Sequence, residues 1–426
     1  MPQFSAEVFQ NEFLSDGATD VHAVVSITAT GTGEAGRAGG GEAAEIIIVD
    51  TSGSMMDDKI REARVAAAAA VDAILDGTWF AIIAGTHVAT RAFPYPNASM
   101  PMVRMEPGAR AAAREAVSRF VADGGTAIGS WLRLAGELFD TVPSAAQRHA
   151  ILLTDGQNQS EQPADFAASI RAVTGRFQCD CRGVGSDWEV RELRQVSTAL
   201  LGSVGLIADP ASLAADFEEM MKQAMGRGVA EAQLRVWAPQ GAQVLFVRQV
   251  SPTVEDLTSR RVEVNPLTGG YPTGSWGDES RDYHISVRLA AKAIGQEQLA
   301  ARVQLAVASE VVAQGLVKAK WSDDEGLTTR INPEVAHYTG QTELAEVIQE
   351  GLAAKAAGDE ETATVKLGRA VQLAAETGNE EATTRLRKVV DIEDSETGTV
   401  RLKRAVEKAD EMALDTASTK TTRIRG

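Results

Sequence analysis

Ile46-Ile47-Ile48-Val49-Asp50-Thr51-Ser52-Gly53-Ser54 is the stretch on which the reading of this chain turns. Its continuous apolar run marks a strand buried on both faces, as in a parallel sheet. The run passes directly into Asp50-x-Ser52-x-Ser54, with Gly53 letting the backbone turn before a helix begins. A carboxylate and two hydroxyls then converge at the carboxyl end of a strand, the edge where open α/β sheets bind ligands. These are hard oxygen donors of low total charge, which suit Mg²⁺ or Mn²⁺.

Downstream, helix and strand patterns alternate. An alanine-rich helix is expected over about 58–75, a strand over 79–84, helices over 109–122 and 128–139, and a strand over 149–154. A helix over 165–173, a strand over 177–184 and helices over 189–199 and 211–225 complete the series. This alternation predicts a doubly wound, Rossmann-like α/β domain spanning 43–227.

Outside it the patterns differ. Val21–Thr30 alternates with period two, after a shorter piece in which Phe4, Ala6 and Val8 alternate. Gly31–Gly41 reads as a flexible linker and lacks the Lys-Ser/Thr of a phosphate loop. After Gly226, strands are expected over 232–237, 244–250, 283–289, 301–308 and 311–321, with Asn265–Pro272 as a connecting loop. Segments 1–42 and 228–325 thus form the two parts of one β-sandwich, with the α/β domain inserted between them. A helical region over 340–414 follows, with helices at 342–357, 360–376, 380–390 and 398–413. The segment 415–426 is expected to be a disordered tail.

Composition narrows the function. The 426 residues carry a formal net charge of −17, which argues against a nucleic-acid partner and an anionic membrane surface, because both draw affinity from Lys and Arg. The longest apolar run, 65–71, is too short to span a bilayer. The N-terminal residues lack the pattern of a signal peptide. The two cysteines, Cys179 and Cys181, exclude a disulfide framework and are taken as packing residues on opposite faces of a strand. These features predict a cytoplasmic protein.

Two further pieces join the first motif. Asp123-Gly-Gly-Thr126-Ala-Ile-Gly129 offers a threonine in a glycine-containing loop, and Ile151-Leu-Leu-Thr-Asp155-Gly156 ends an apolar strand on an aspartate. With Asp50-x-Ser52-x-Ser54, they resemble the metal-ion-dependent adhesion site of the von Willebrand factor type A domain, over approximately 43–227. The resemblance implies that Ser52, Ser54 and Thr126 coordinate a divalent ion directly or through water, while Asp50 and Asp155 balance charge. It also implies that an Asp or Glu from a protein partner completes the coordination. The type implied is the bacterial intracellular one.

Enzyme readings fare worse. An aspartyl-phosphate hydrolase loop has an acid two residues after the first Asp, where this chain has Ser52. No Gly-x-Ser-x-Gly elbow exists. His22 and His149 read as packing residues, and only His87 has a route to the sheet edge. Trp131 and Trp276 read as core. Met55 and Met56 either line the docking face or pack beneath the loop, and Asp57-Asp58-Lys59 reads as helix N-terminal chemistry.

The expectation is a metal-dependent protein-binding scaffold or signalling regulator, not an enzyme. The alternatives are a regulatory subunit of an ATPase- or chelatase-like complex, or a hydrolase using Asp50. The basic, threonine-rich tail is a further expected contact. Phosphorylation, preferably at Thr421 with Ile424 three residues beyond it, would create an epitope for a phosphothreonine reader such as a forkhead-associated domain.

Overall fold

A computed structural model describes residues 2–32 and 42–423. The chain forms two compact units, one of Met1–Thr32 with Glu231–Gly426 and the other of Gly33–Ala230. Most of the expected linker, 33–41, lies outside the described residues.

The Gly33–Ala230 unit is built on a twisted sheet. Its strands run in the order Val204–Ile207, Gln178–Val184, Ala145–Thr154, Glu42–Asp50, Trp79–Gly85 and Ala89–Phe93. The first five are mutually parallel and Ala89–Phe93 is antiparallel. From Glu42–Asp50 the chain winds outward to one edge, then returns to Ala145–Thr154 and winds to the other. The switch point therefore lies between these two neighbours, whose carboxyl ends lead to Asp50 and Asp155. Ile46–Val49 are wholly buried, as a strand covered on both faces requires.

Helices Asp58–Ala73, Pro107–Ser118, Ile128–Asp140, Pro163–Val173, Val190–Ala199 and Leu213–Gly226 supply the layers over the sheet. Alanines 63, 66, 67 and 70 of the first fall at helical spacing and are fully buried. Three strands escape the sequence patterns, one of them the two-residue Val103–Arg104, which pairs antiparallel with Trp79–Gly85. Ala89–Phe93 is a part-exposed edge strand, and Val204–Ile207 is four residues long and contains Gly205.

The cysteine reading needs correction. Cys179 and Cys181 are two residues apart in a strand, so they share a face. Their Sγ atoms lie 4.0 Å apart, both buried. Asp180, between them, faces the other way.

In the other unit, one sheet orders Gln3–Gln10, Asp20–Thr30, Glu279–Arg288, Gln243–Ser251 and Glu255–Asp256. The second orders Val262–Asn265, Thr268–Trp276, Val229–Trp237, Glu297–Val307, Glu310–Trp321 and Phe13–Leu14. Their facing side chains touch: the Phe4 ring meets Trp276 edge-on at 6.2 Å, and a Cβ on Gly315 would stand 2.6 Å from Val8. The expected loop Asn265–Pro272 is instead largely strand. Its glycines, which suggest a loop, make room for neighbouring side chains: a Cβ on Gly270 would lie 2.3 Å from the Gln233 amide.

The C-terminal region is helical, with Pro333–Ala356, Glu360–Glu376 and Glu380–Val389. Asn332, Asp359 and Asn379 cap these helices through side-chain oxygens. The helix expected at 398–413 does not form. Val390–Asp394 and Thr399–Leu402 pair as a hairpin, and the last helix is Lys408–Ala417. The turn favours this outcome, because Asp394 accepts the Glu396 and Thr397 N–H groups and Gly398 has φ +69°. Gly398 also packs so closely on Gly368 that a Cβ there would meet its carbonyl oxygen at 2.3 Å.

The disordered-tail expectation fails through residue 423. Thr253 and Lys420 form a β-bridge, Thr421 Oγ1 donates to the Val250 carbonyl at 2.7 Å, and Arg423 Nε donates to Asp282 at 2.9 Å. Tyr338 OH also donates to Asp282, so tail and helix share one buried carboxylate. Polarity misled the sequence reading, since the strap is held by polar groups. Ile424 lies outside the described residues.

Candidate metal centre

Backbone hydrogen bonds bind three loops together at the carboxyl edge of the α/β sheet. Thr51 N donates to the Gly85 carbonyl (2.7 Å), Gly53 N to Gly124 (2.8 Å) and Asp123 N to Thr51 (2.9 Å). Ala127 N donates to Thr86 and Ser160 N to Thr126. Glycine is needed where this network is tight. A Cβ on Gly85 would stand 2.4 Å from the buried Trp131 ring, whose Nε1 donates to the Thr86 carbonyl at 2.7 Å.

The five expected residues surround this junction. Asp50 is fully buried, and its Oδ1 accepts the Ser52 N–H at 2.8 Å while Oδ2 accepts the Thr154 hydroxyl. Ser52 Oγ and Ser54 Oγ lie 2.9 Å apart, and Ser54 Oγ donates to Asp155 Oδ1 at 2.7 Å. Thr126 completes the group through Gly156. A Cβ at Gly156 would stand 3.0 Å from Ser54 Oγ, 3.1 Å from Thr126 Oγ1 and 3.8 Å from Asp50 Oδ2. Side-chain oxygens from two loops thus border one small space that the glycine of the third loop leaves open. Carboxylate and hydroxyl oxygens around a side-chain-sized gap are a donor set suited to a hard divalent cation. Among the described residues, no group of three or more His, Cys, Asp or Glu side chains is placed to hold a metal. A hydroxyl-rich site of this kind differs from such a cluster in composition.

Burial pushes the Asp50 carboxyl up to about 6, against the opposing hydrogen bonds from Ser52 and Thr154. Lys59 is the residue the sequence reading missed. Its ammonium donates to Asp155 Oδ2 at 2.6 Å and lies 3.3 Å from Asp187 Oδ2. Helix N-terminal chemistry describes only its neighbour Asp58, which pairs with Arg61. No local pattern signals it, because Lys59 and Asp155 are 96 residues apart in the chain.

The other residues separate clearly. Met55 is buried in the core, as the packing alternative expects, and Met56 is 61% exposed. His87 packs on the threonine loop, where a Cβ on Gly124 would approach its Nδ1 to 2.7 Å. Trp131 and Trp276 are fully buried. His22 is exposed and lies against Phe246 and His284, so it is not a core packing residue. His149 is buried but polar in role. Nδ1 meets Glu45 Oε2 and Nε2 meets Asp180 Oδ2, both at 2.8 Å. Burial works against its charge, yet the two carboxylates hold its pKa up at about 9.

Residues 44–204 match the von Willebrand factor type A domain, and 372–418 match the von Willebrand factor type A C-terminal domain. A von Willebrand factor type A protein from Catenulispora acidiphila is 50% identical, with a TM-score of 0.93 covering 99% of this chain and 97% of that one. The ArnB paralog VWA2 from Sulfolobus acidocaldarius shares the fold at 14% identity, with a TM-score of 0.57 covering 98% of each chain. An uncharacterized Synechocystis protein is 27% identical over 217 residues, 50% of this chain and 49% of its own length. The chain therefore spans about half the length of that curated relative. No helix among the described residues is long and apolar enough to cross a membrane.

Proposed function

This chain belongs to the von Willebrand factor type A family, and on that premise we propose that it is a metal-dependent protein-docking module. Asp50, Ser52, Ser54, Thr126 and Asp155 would hold Mg²⁺ or Mn²⁺ as a complete adhesion site of the bacterial intracellular type. The ion would supply an electrophilic anchor for an Asp or Glu carboxylate on a protein partner. The observation that supports this most directly is the gap beside Gly156, bordered by Ser54, Thr126 and Asp50 oxygens.

The chain's own residues prepare that anchor. Thr154 and the Ser52 N–H orient the Asp50 carboxylate, and Ser54 orients Asp155. The backbone bonds between the loops keep the hydroxyls in register. Few anionic groups surround the position, so an arriving carboxylate is rewarded. We read the α/β unit as inserted into a β-sandwich that carries it, and the role as scaffolding or regulation in the cytoplasm, not catalysis. Two cysteines kept as free, buried thiols fit a reducing compartment. Nucleic acid and membrane are not among the proposed partners, in keeping with the charge of −17.

Calorimetric titration with Mn²⁺ and Mg²⁺ tests the site. Wild type should bind one ion, and Asp50→Ala should lose it with its circular dichroism spectrum unchanged. Equal affinity in the variant would remove the assignment.

A phosphothreonine reader, such as a forkhead-associated domain, remains a proposed second partner at the tail, under one condition. Thr421 donates to Val250, and its N–H to Pro252, so a phosphate there requires the strap to leave the sheet. Intact mass measured on protein from the native host would detect the modification.

A further inference from the structure

We propose that Lys59 is an exchangeable counter-cation of the metal position, held on Asp155 when no ion is bound and transferred to Asp187 when one is. The proposal rests on the metal-binding reading above.

Asp155 is fully buried, and an ionised carboxylate there needs a partner. Lys59 provides it from the second residue of the helix Asp58–Ala73, at 2.6 Å. A divalent ion held by Asp155 and its neighbours would place two further positive charges beside that ammonium. In a site shielded from water, such like charges repel strongly. Either the lysine moves or the ion binds weakly.

The structure provides a destination. Asp187 belongs to the loop after the strand Gln178–Val184, its side chain is 70% exposed, and its Oδ2 already stands 3.3 Å from Lys59 Nζ. Lys59 is 27% exposed along its side chain, and its Cε stem runs past Gly185, where a Cβ would stand 4.0 Å away. Exchange between the two carboxylates therefore needs only the end of a flexible side chain to move. The consequence is a site whose affinity is set by a competition. Lys59 opposes the ion, and Asp187 relieves that opposition by giving the ammonium another partner. Lys59 acts on the metal through Asp155, so it is a positioning residue.

A double-mutant cycle on the full chain separates this from a fixed structural ion pair. Mn²⁺ affinity is measured by calorimetry, with electron paramagnetic resonance of the bound ion as a second readout. Lys59→Gln should bind Mn²⁺ about tenfold more tightly, Lys59→Arg should resemble wild type, and Asp187→Asn should bind about threefold more weakly. In the Lys59→Gln background, Asp187→Asn should have no further effect. Mn²⁺ binding that appears only in Lys59→Gln would also support the proposal. Unchanged or weakened affinity in Lys59→Gln would overturn it while leaving the metal site standing. So would a full Asp187→Asn effect without the lysine. Absence of binding in both wild type and Lys59→Gln would overturn the metal reading and the proposal together.

Discussion

The strand Glu42–Asp50 buries a carboxylate toward each end, Glu45 at one and Asp50 at the other, and the two are balanced in opposite ways. Glu45 faces His149, which is itself clamped by Asp180, with Arg227 3.8 Å from Asp180 on its far side. That end carries its own cations, His149 enclosed and Arg227 partly exposed. Asp50 faces hydroxyls and an N–H, and Lys59 sits on Asp155 instead. The comparison shows how one strand balances two buried acids in different ways. Glu45 is given an enclosed cation of its own, whereas Asp50 is given only dipoles.

Deleting one charge at each end should expose this difference most. His149→Ala leaves Glu45 and Asp180 buried without their shared partner, and urea unfolding should show a loss of about 3–5 kcal/mol. Asp50→Asn, in EDTA, should be at least as stable as wild type, because the ionised Asp50 is disfavoured by burial. Equal losses at both ends would break the comparison.

The pH dependence sharpens it. The folded pKa of His149, about 9, lies above its ordinary 6.5, so its stabilisation is complete below pH 6.5 and is lost as pH rises through 9. Glu45 faces it on one side and Asp180 on the other, with Arg227 and Arg182 beyond Asp180. Burial also pushes the Glu45 carboxyl up, which moves stability the same way. Asp180 is held low by His149 and the arginines against the cost of burial, so it stays ionised throughout this window. Unfolding free energies from urea titrations across the window should fall by an amount on the order of 2 kcal/mol in wild type and stay nearly flat in His149→Ala.

The smallest contrast uses two glycines. A Cβ on Gly202 would lie 1.9 Å from the Cys179 carbonyl oxygen, a backbone atom that cannot move aside, whereas Gly156 meets hydroxyls at 3.0 and 3.1 Å. Gly202→Ala should cost about 1–3 kcal/mol of unfolding free energy. Gly156→Ala should cost under about 1 kcal/mol, yet weaken Mn²⁺ binding, because its methyl group enters the gap between the donor oxygens.

Much of this was legible in the residues because it depends on local pattern. The apolar run Ile46–Val49 could only be a buried strand, and Asp50-x-Ser52-x-Ser54 at its end carries three candidate ligands. The Thr126 and Asp155 loops were legible through the resemblance to the von Willebrand factor type A domain. Where local pattern and packing disagreed, packing decided. Gly269 and Gly270 look like a loop, but Arg261 and Gln233 need their missing side chains within a sheet. Segment 398–413 has helical composition, yet the turn at Asp394–Gly398 and its close approach to Gly368 make the first part a hairpin. The strap through Arg423 looks disordered, because its partners Asp282, Val250 and Thr253 are far away in sequence.

The sequence by itself determined the alternation of elements, the Asp50-x-Ser52-x-Ser54 turn and the helical C-terminal region, since each is written in residues a few positions apart. Only the tertiary structure decided which buried charge meets which. Lys59 and Asp155 are 96 residues apart, and Glu45 and His149 are 104 apart. Electrostatic pairing depends on distance in space, and no periodicity along the chain records that distance.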